Sequence, residues 1–240
     1  MSHIRNIPIG AGTVRISEDT FMITLEQIKS DPAIRTYIEK EDEALIALGY
    51  TEHSFAHVGK VSNTAGRILR TLGYSEREAE LAELAGYLHD IGNIVNRVEH
   101  AQSGAIMAFR LLDKMGADPA DIAVIINAIG NHDESTAVAG NAVSAALILA
   151  DKTDVRESRG RNPHETNFDI HDRVNYSVKR AELDIRTEER EIRLSLTIDT
   201  AFCPIMEYFE IFLSRMKLCS SAAEKLNMRF RLCINDQVLL

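Results

Sequence analysis

Residues 75–92 read Ser-Glu-Arg-Glu-Ala-Glu-Leu-Ala-Glu-Leu-Ala-Gly-Tyr-Leu-His-Asp-Ile-Gly. The serine and the glutamate three positions later form a capping-box pattern, which predicts that a helix begins here. Three leucines at helical spacing then lie on one face, namely Leu81, Leu84 and Leu88. Gly92 lies just past the predicted end of the helix. The apolar face therefore ends in His89-Asp90, a polar pair that needs compensation if it is buried.

The helical period continues on both sides of this segment. Asp31-Pro32 predicts another helix start, with an N-cap followed by proline at the first helical position. The pattern predicts helices from Pro32 toward Gly49, from Phe55 to Gly73, from Ser75 to Gly92, from Gly104 to Met115, from Pro119 to Ile129 and from Ala142 to Val155. Residues 24–157 are therefore expected to form one all-helical domain.

Both ends of the chain show a different pattern. Residues 1–23 carry four spaced aliphatic residues, which predicts a short hairpin or arm. After a polar loop, residues 183–186 and 192–198 alternate as half-buried strands do, an amphipathic helix starts at Pro204, and residues 230–234 predict a third strand. The fold class is thus mainly α: a helical bundle followed by a linker loop and a small α+β unit of order ββαβ at 158–240.

Composition limits the classes of function. The chain has 240 residues, of which 45% are apolar and 26% charged, so it can bury a sizeable core. The net charge of −9 disfavours binding to nucleic acid backbones, and we expect no sequence-specific nucleic acid partner. Three dispersed cysteines predict core packing rather than a zinc ribbon or a disulfide framework: Cys203, Cys219 and Cys233. No signal peptide or membrane-spanning run is evident, so we expect a cytoplasmic protein without a membrane partner.

The helical region contains an ordered set of histidines and aspartates at predicted helix ends. They are His57, His89, Asp90, His100, His132 and Asp151. Residues at helix ends in a bundle can converge on one cavity. Imidazoles and carboxylates without thiolates suit Fe, Mn, Ni, Co or Zn. The remaining histidines are expected to be surface residues or satisfied core residues: His3, His53, His164 and His171.

The order H…HD…H…H…D resembles the HD-domain superfamily of metal-dependent phosphohydrolases over residues 50–157. Four local strings carry the resemblance: His57-Val-Gly-Lys-Val, Leu88-His-Asp-Ile-Gly, His100-Ala-Gln-Ser-Gly-Ala and Ala150-Asp-Lys-Thr-Asp. It implies a helical bundle around one or two metal ions. It also implies that His57, His89, Asp90 and Asp151 hold the first ion, and that His100 and His132 hold a second, with Asp90 bridging. Asn93 stands where HD-GYP cyclic-di-GMP phosphodiesterases have lysine, and no GYP signature follows His132, which disfavours cyclic-di-GMP as substrate.

The resemblance implies hydrolysis of a nucleotide or another small phosphoester by a metal-activated water. Asp90 is a candidate catalytic residue at the metal centre, and Lys60 and Lys152 are candidate contacts to the substrate. Arg156, Arg159 and Arg161 form the densest basic cluster, and we expect at least one of them to bind a substrate phosphate, unless the segment is a solvated loop. Asp154 could orient a ligand histidine, and Asp133 or Glu134 could do so or move a proton.

Two alternatives to hydrolysis remain open at this point. An HD-type di-iron oxygenase uses the same six ligands, and a binding or regulatory module could hold a structural metal without catalysis. The C-terminal unit is expected to be structural or oligomeric rather than catalytic. Its strands leave edges that a second subunit could cover, so we predict a homodimer.

Overall fold

A computed structural model describes residues 4–9, 12–17, 22–134, 137–160 and 170–239. The helices are α1 (Leu25–Ser30), α2 (Pro32–Ala47), α3 (Phe55–Thr71), α4 (Glu76–Leu88), α5 (His100–Lys114), α6 (Pro119–Gly130), α7 (Ala142–Lys152), α8 (Ile170–Ser177) and α9 (Ile205–Lys225). The strands are β1 (Ile4–Ile9), β2 (Gly12–Ser17), β3 (Val178–Arg186), β4 (Glu191–Ile198), β5 (Arg229–Ile234) and β6 (Gln237–Val238). The predicted class, a helical bundle followed by a small α+β unit, is confirmed.

Five of the six predicted helix starts occur where side chains satisfy free backbone amides. The predicted start at Gly104 is wrong, because α5 begins at His100, where no side chain caps the helix. The hydroxyl of Ser75 accepts from the Glu78 amide, and the Glu78 carboxylate accepts from the Ser75 amide, so the capping box is complete. The carboxylate of Asp31 accepts from the amides of Ala33 and Ile34 at the start of α2. Such caps each contribute about 1 kcal/mol, which helps to set where each helix begins.

The core of the bundle lies where α3, α4 and α7 pack together. Gly86 on α4 allows a close approach, because a Cβ there would lie 2.8 Å from the Cα of Ser62 on α3. Leu84, Leu88 and Leu147 are fully buried in this core, and burying each leucine stabilises the fold by roughly 1.5–3 kcal/mol. The close contact brings the start of α3 next to the end of α4.

The C-terminal unit is a four-stranded sheet of order β3-β4-β5-β6. Strands β3 and β4 form an antiparallel hairpin, and β4 pairs with β5 in parallel through the connecting helix α9. Helix α9 packs both on β5 and on α7, with Tyr208, Phe212 and Met216 buried. The predicted ββαβ order is present, and α8 and β6 are additions that the pattern did not predict. Among the described helices, none has the length and apolarity needed to cross a membrane.

Candidate metal centre

The six predicted metal ligands meet at one end of the bundle. They are His57 in the first turn of α3, His89 and Asp90 directly after α4, His100 at the start of α5, His132 after α6 and Asp151 in the last turn of α7. Five of the six are buried and Asp151 is half-buried. Side chains from five segments of the chain therefore share one small volume.

Asp90 lies at the centre of this cluster and divides the histidines into two groups. Its Oδ2 atom lies 3.1 Å from His89 Nε2 and 3.5 Å from His57 Nε2. Its Oδ1 atom lies 3.5 Å from His100 Nε2 and 3.9 Å from His132 Nε2. Asp151 Oδ1 lies 3.5 Å from His57 Nε2 and 3.7 Å from His89 Nε2. We call His57, His89 and Asp151 the inner group, and His100 and His132 the outer group.

All four rings have the same orientation relative to the cluster. Each Nδ1 atom faces an acceptor: Asp154 Oδ2 at 2.8 Å for His57, Gly86 O at 2.9 Å for His89, Arg97 O at 3.1 Å for His100 and Ile129 O at 2.6 Å for His132. A carbonyl or carboxylate can only accept, so the ring proton resides on Nδ1. The Nε2 lone pair of each neutral ring therefore faces the cluster, as in metal-binding histidines.

Several imidazole lone pairs of the cluster face no hydrogen-bond donor among the described residues. His57 Nε2 and His89 Nε2 are buried without a hydrogen-bond partner. His100 Nε2 and His132 Nε2 lie 3.2 Å apart, and neither atom carries a proton when both rings donate through Nδ1. Unpaired buried polar atoms cost about 1–3 kcal/mol each. One divalent ion in each group would satisfy these atoms, so the residues present fit a metal.

The titration of the inner group leads to the same conclusion. Burial opposes charge on His89, yet Asp90 and Asp151 beside it raise the pKa of its imidazole to about 10. Burial also opposes charge on Asp151, yet the Lys152 ammonium and the nearby imidazoles of His57 and His89 hold the pKa of its carboxyl well below the usual range. Both carboxylates thus stay ionised, and a proton on His89 takes the place that a cation would fill.

The connection between His89 and His100 is short and tightly folded. After Asp90 the chain forms a 3-10 turn over Ile91–Ile94. A Cβ at Gly92 would lie 2.0 Å from the carbonyl oxygen of His100, so only glycine fits there. Glu99 has a φ of 58°, a left-handed conformation that turns the chain into α5. This geometry places Asp90 directly beside the first residue of α5.

Asp154 lies behind the inner group and forms ion pairs with Lys60 and Arg156. Its Oδ2 atom accepts from His57, and its Oδ1 atom lies 2.7 Å from Lys60 Nζ and 3.2 Å from Arg156 Nε. Arg156 also pairs with Glu52. The helix α7 ends at Lys152 rather than at the predicted Val155, so the chain has turned before Arg156. Lys60 and Arg156 therefore lie at Asp154 and do not line the metal cavity.

A cavity of about 270 Å³ opens onto the outer group. Its described lining consists of Tyr50, Thr51, His53, Asp90, Arg97, His100, His132, Asp151, Lys152, Arg159, Asn175 and Arg215. Two of the predicted substrate contacts, Lys152 and Arg159, are among them. Arg161 lies outside the described residues. Arg159 donates to the carbonyl oxygens of Glu52 and Asp154, which fixes its guanidinium at the cavity wall.

Several residues at this site were not predicted. His53 was expected to be an ordinary histidine, but its Nε2 atom lies 4.0 Å from Asp90 Oδ2. Asn93 donates to Asp90 Oδ1 at 3.1 Å and to the buried Glu41 of α2 at 3.3 Å. Asn175 and Arg215 come from α8 and α9. The C-terminal unit, which was expected to be structural or oligomeric rather than catalytic, thus contributes to the cavity wall.

Comparisons with known proteins identify the family of the chain. An uncharacterized protein of Methanocaldococcus jannaschii is 27% identical over 201 residues, covering 74% of this chain and 76% of that protein. A crystal structure of a predicted HD superfamily hydrolase from an uncultured Thermotogales bacterium has 27% sequence identity and a TM-score of 0.41, covering 55% of this chain and 73% of that chain. The HD domain family model matches residues 54–175, just over half of the chain, and that segment contains all six converging residues. The chain therefore belongs to the HD domain family.

Proposed function

We propose that the protein is a metal-dependent phosphohydrolase that cleaves a small phosphoester in this cavity. The observation that carries the proposal is the position of Asp90, whose two carboxylate oxygens face separate pairs of imidazole Nε2 atoms. A structural metal site usually needs four ligands around one centre. Donors divided between two sides of one carboxylate instead favour two ions, an arrangement that many phosphoester hydrolases use.

The inner group with Asp90 would hold one ion, and the outer group with Asp90 would hold the other. The donor set of imidazoles and carboxylates favours Fe, Mn, Ni, Co or Zn. Such ions, when bound, lower the pKa of water and polarise phosphoryl oxygens. Asp154 fixes the ring of His57, and backbone carbonyls fix the rings of the other three histidines. The ligands are therefore oriented before an ion arrives.

Other side chains of the cavity would bind and orient the substrate. Lys152 Nζ lies 2.7 Å from Asp151 Oδ2, and an ammonium has further protons for a phosphoryl oxygen. Arg97 donates to Asn93 at 3.0 Å, so its charge is held beside the residues that orient Asp90. His53 donates through Nδ1 to Thr51 O, which leaves its Nε2 atom as an acceptor for a hydroxyl or water proton. Lys60 and Arg156, by contrast, would stabilise Asp154.

The proposal is tested by stripping the metal with a chelator and reloading the protein anaerobically with Mn²⁺, Fe²⁺, Co²⁺, Ni²⁺ or Zn²⁺. Phosphomonoesters are then assayed for phosphate release, and phosphodiesters are assayed for release of the alcohol. We expect activity that requires the metal and is lost in Asp151→Asn. The matched control is Asp236→Asn, in the exposed turn between β5 and β6, which should behave as wild type. Oxygen consumption by the iron form without any metal-dependent hydrolysis would favour the oxygenase alternative.

A further inference from the structure

Helix α9 of the C-terminal unit brings Arg215 to the wall of the metal cavity. The Nε atom of Arg215 lies 2.5 Å from Glu134 Oε1, and the guanidinium lies 4.6 Å from the centre of the Phe212 ring. Within the part of the chain that the structure describes, its two terminal nitrogens have no other polar partner. The contact at Nε is an ion pair without hydrogen-bond geometry, and the Phe212 ring also positions the guanidinium. A guanidinium positioned in this way, with its terminal nitrogens left for a ligand, can bind a phosphate in bidentate fashion.

Glu134 ties this arginine to the metal centre. It follows the outer ligand His132 by two residues, and its Oε2 atom accepts from Ser214 Oγ on α9 at 3.4 Å. Its Oε1 atom also lies 3.9 Å from Lys152 Nζ, the ammonium beside Asp151. Glu134 thus joins α9 to the loop that carries a ligand, and Arg215 keeps a defined position relative to both groups of ligands.

The described lining of the cavity is polar and cationic. It contains four permanent cations, Arg97, Lys152, Arg159 and Arg215, and no aliphatic side chain. Its one aromatic residue other than histidine is Tyr50, whose ring faces Arg97 at 5.9 Å. Nucleobases are commonly bound on aromatic or apolar surfaces. This lining therefore favours a compact, strongly anionic ligand over a nucleotide.

We propose that Arg215 binds a second phosphoryl group of the substrate, so that the substrate is a compact molecule with two phosphoryl groups and no nucleobase. One phosphoryl group lies at the metal ligands and the other lies at the free fork of Arg215. The statement about the first group rests on the proposed phosphohydrolase function. The statement about Arg215 rests on its place in the cavity, its single carboxylate partner and the charge around it.

The test uses the metal-loaded full chain and two probes that resist hydrolysis, methylenebisphosphonate and inorganic phosphate. Binding of each probe is measured by titration calorimetry in wild type, Arg215→Gln and Lys217→Gln, and the metal content is measured after each titration. Lys217→Gln is the matched control, because it removes the same charge from an exposed position of the same helix. We expect Arg215→Gln to weaken methylenebisphosphonate binding by roughly tenfold or more, to change phosphate binding by less than about threefold, and to retain its metal. Lys217→Gln should match wild type.

Two results would overturn the proposal: unchanged methylenebisphosphonate binding in Arg215→Gln, or an equal loss in Lys217→Gln. Arg215→Lys should restore part of the binding, because it returns the charge without the fork. The two proposals can fail separately. Binding that depends on Arg215 in a protein without metal-dependent phosphatase activity would refute the phosphohydrolase and retain the anion site. Hydrolysis of nucleoside monophosphates in preference to small bisphosphates, unaffected by Arg215→Gln, would retain the phosphohydrolase and refute the anion site.

Discussion

The inner and outer groups of the metal centre use the same kind of ligand in different surroundings. The inner histidines, His57 and His89, do not line the cavity, and they share the carboxylate Asp151. The outer histidines, His100 and His132, line the cavity and are oriented by backbone carbonyls alone. In the proposed function, the inner group would retain an ion, and the outer group would hold one where a substrate can reach it. Asp90 belongs to both.

Loss of Asp90 should have the largest effect, because among the described residues it alone has a carboxylate that faces both groups. We expect Asp90→Asn to abolish activity and to reduce the metal content to near zero, since the amide supplies less charge to either side. Elemental analysis of the purified protein measures this directly. Asp236→Asn serves as the control. A variant that keeps one full equivalent of metal would show that Asp90 is not shared.

Variants that each lack one ligand, from the inner or the outer group, should distinguish the roles of the two groups. We expect His57→Gln to release the inner ion and to lower the stability of the loaded protein by about 4 kcal/mol, the linkage expected at 1,000 times the dissociation constant. His100→Gln should release only the outer ion, abolish activity and leave stability closer to wild type. Thermal unfolding with and without excess metal measures both effects. Equal destabilisation by the two variants would contradict the distinction between the groups.

Replacing Asp154, whose carboxylate lies behind the inner group, should reduce metal affinity less than replacing a ligand. Asp154 accepts from His57 Nδ1, so Asp154→Asn weakens the orientation of that ring without removing a ligand. Replacing such partners costs roughly 10–100-fold in metal affinity. We expect a loss in this range for the tighter of two binding steps in a metal titration, with the weaker step unchanged. A change in affinity confined to the weaker binding step would contradict the assignment of Asp154 to the inner group.

The smallest expected effect concerns Glu41, which reaches the outer side of Asp90 through Asn93. Burial and the nearby Asp90 raise the pKa of Glu41 well above its usual value of 4.5. The folded state therefore favours the protonated form, so the contribution of Glu41 to stability is present below pH 4.5 and is lost as the pH rises through the folded pKa. Glu41→Gln mimics the neutral form, and its Tm should exceed that of wild type increasingly as the pH rises from 4 to 8. Glu43→Gln, exposed on the same helix, is the control. A difference in Tm between Glu41→Gln and wild type that stays constant from pH 4 to 8 would contradict a raised pKa of Glu41.

Much of the fold could be predicted from local signals. The side-chain caps at Asp31 and Ser75 set helix starts that the structure reproduces, whereas α5 begins at His100 rather than at Gly104. The six converging residues were found because they lie near predicted helix ends in an order that resembles the HD-domain superfamily. The helix α8 was missed because it is only 8 residues long, too short for a periodic pattern to stand out, and its sequence Ile-His-Asp-Arg-Val-Asn-Tyr-Ser is mostly polar. The predicted homodimer stays a prediction.

The parts of the site that were missed depend on long-range packing. Arg215 lies more than 60 positions after Asp151 and reaches the cavity only because α9 packs on α7. No local pattern distinguishes it from a solvated arginine on an amphipathic helix. At least one of Arg156, Arg159 and Arg161 was expected to reach back over the metal site; Arg159 lines the cavity, and Arg156, which follows the end of α7, does not. The helix ends at Lys152, and Glu52 and Asp154 then bind the guanidinium of Arg156.

The most direct test of the central claim is an anomalous diffraction measurement on crystals of the protein loaded with Mn²⁺. Two anomalous peaks are predicted on either side of Asp90, one bound by His57, His89 and Asp151 and the other bound by His100 and His132. Their separation should be about 3.5–4 Å, as in other two-metal hydrolytic sites. A single peak that uses only one oxygen of Asp90, or the absence of any peak at these residues, would contradict the account.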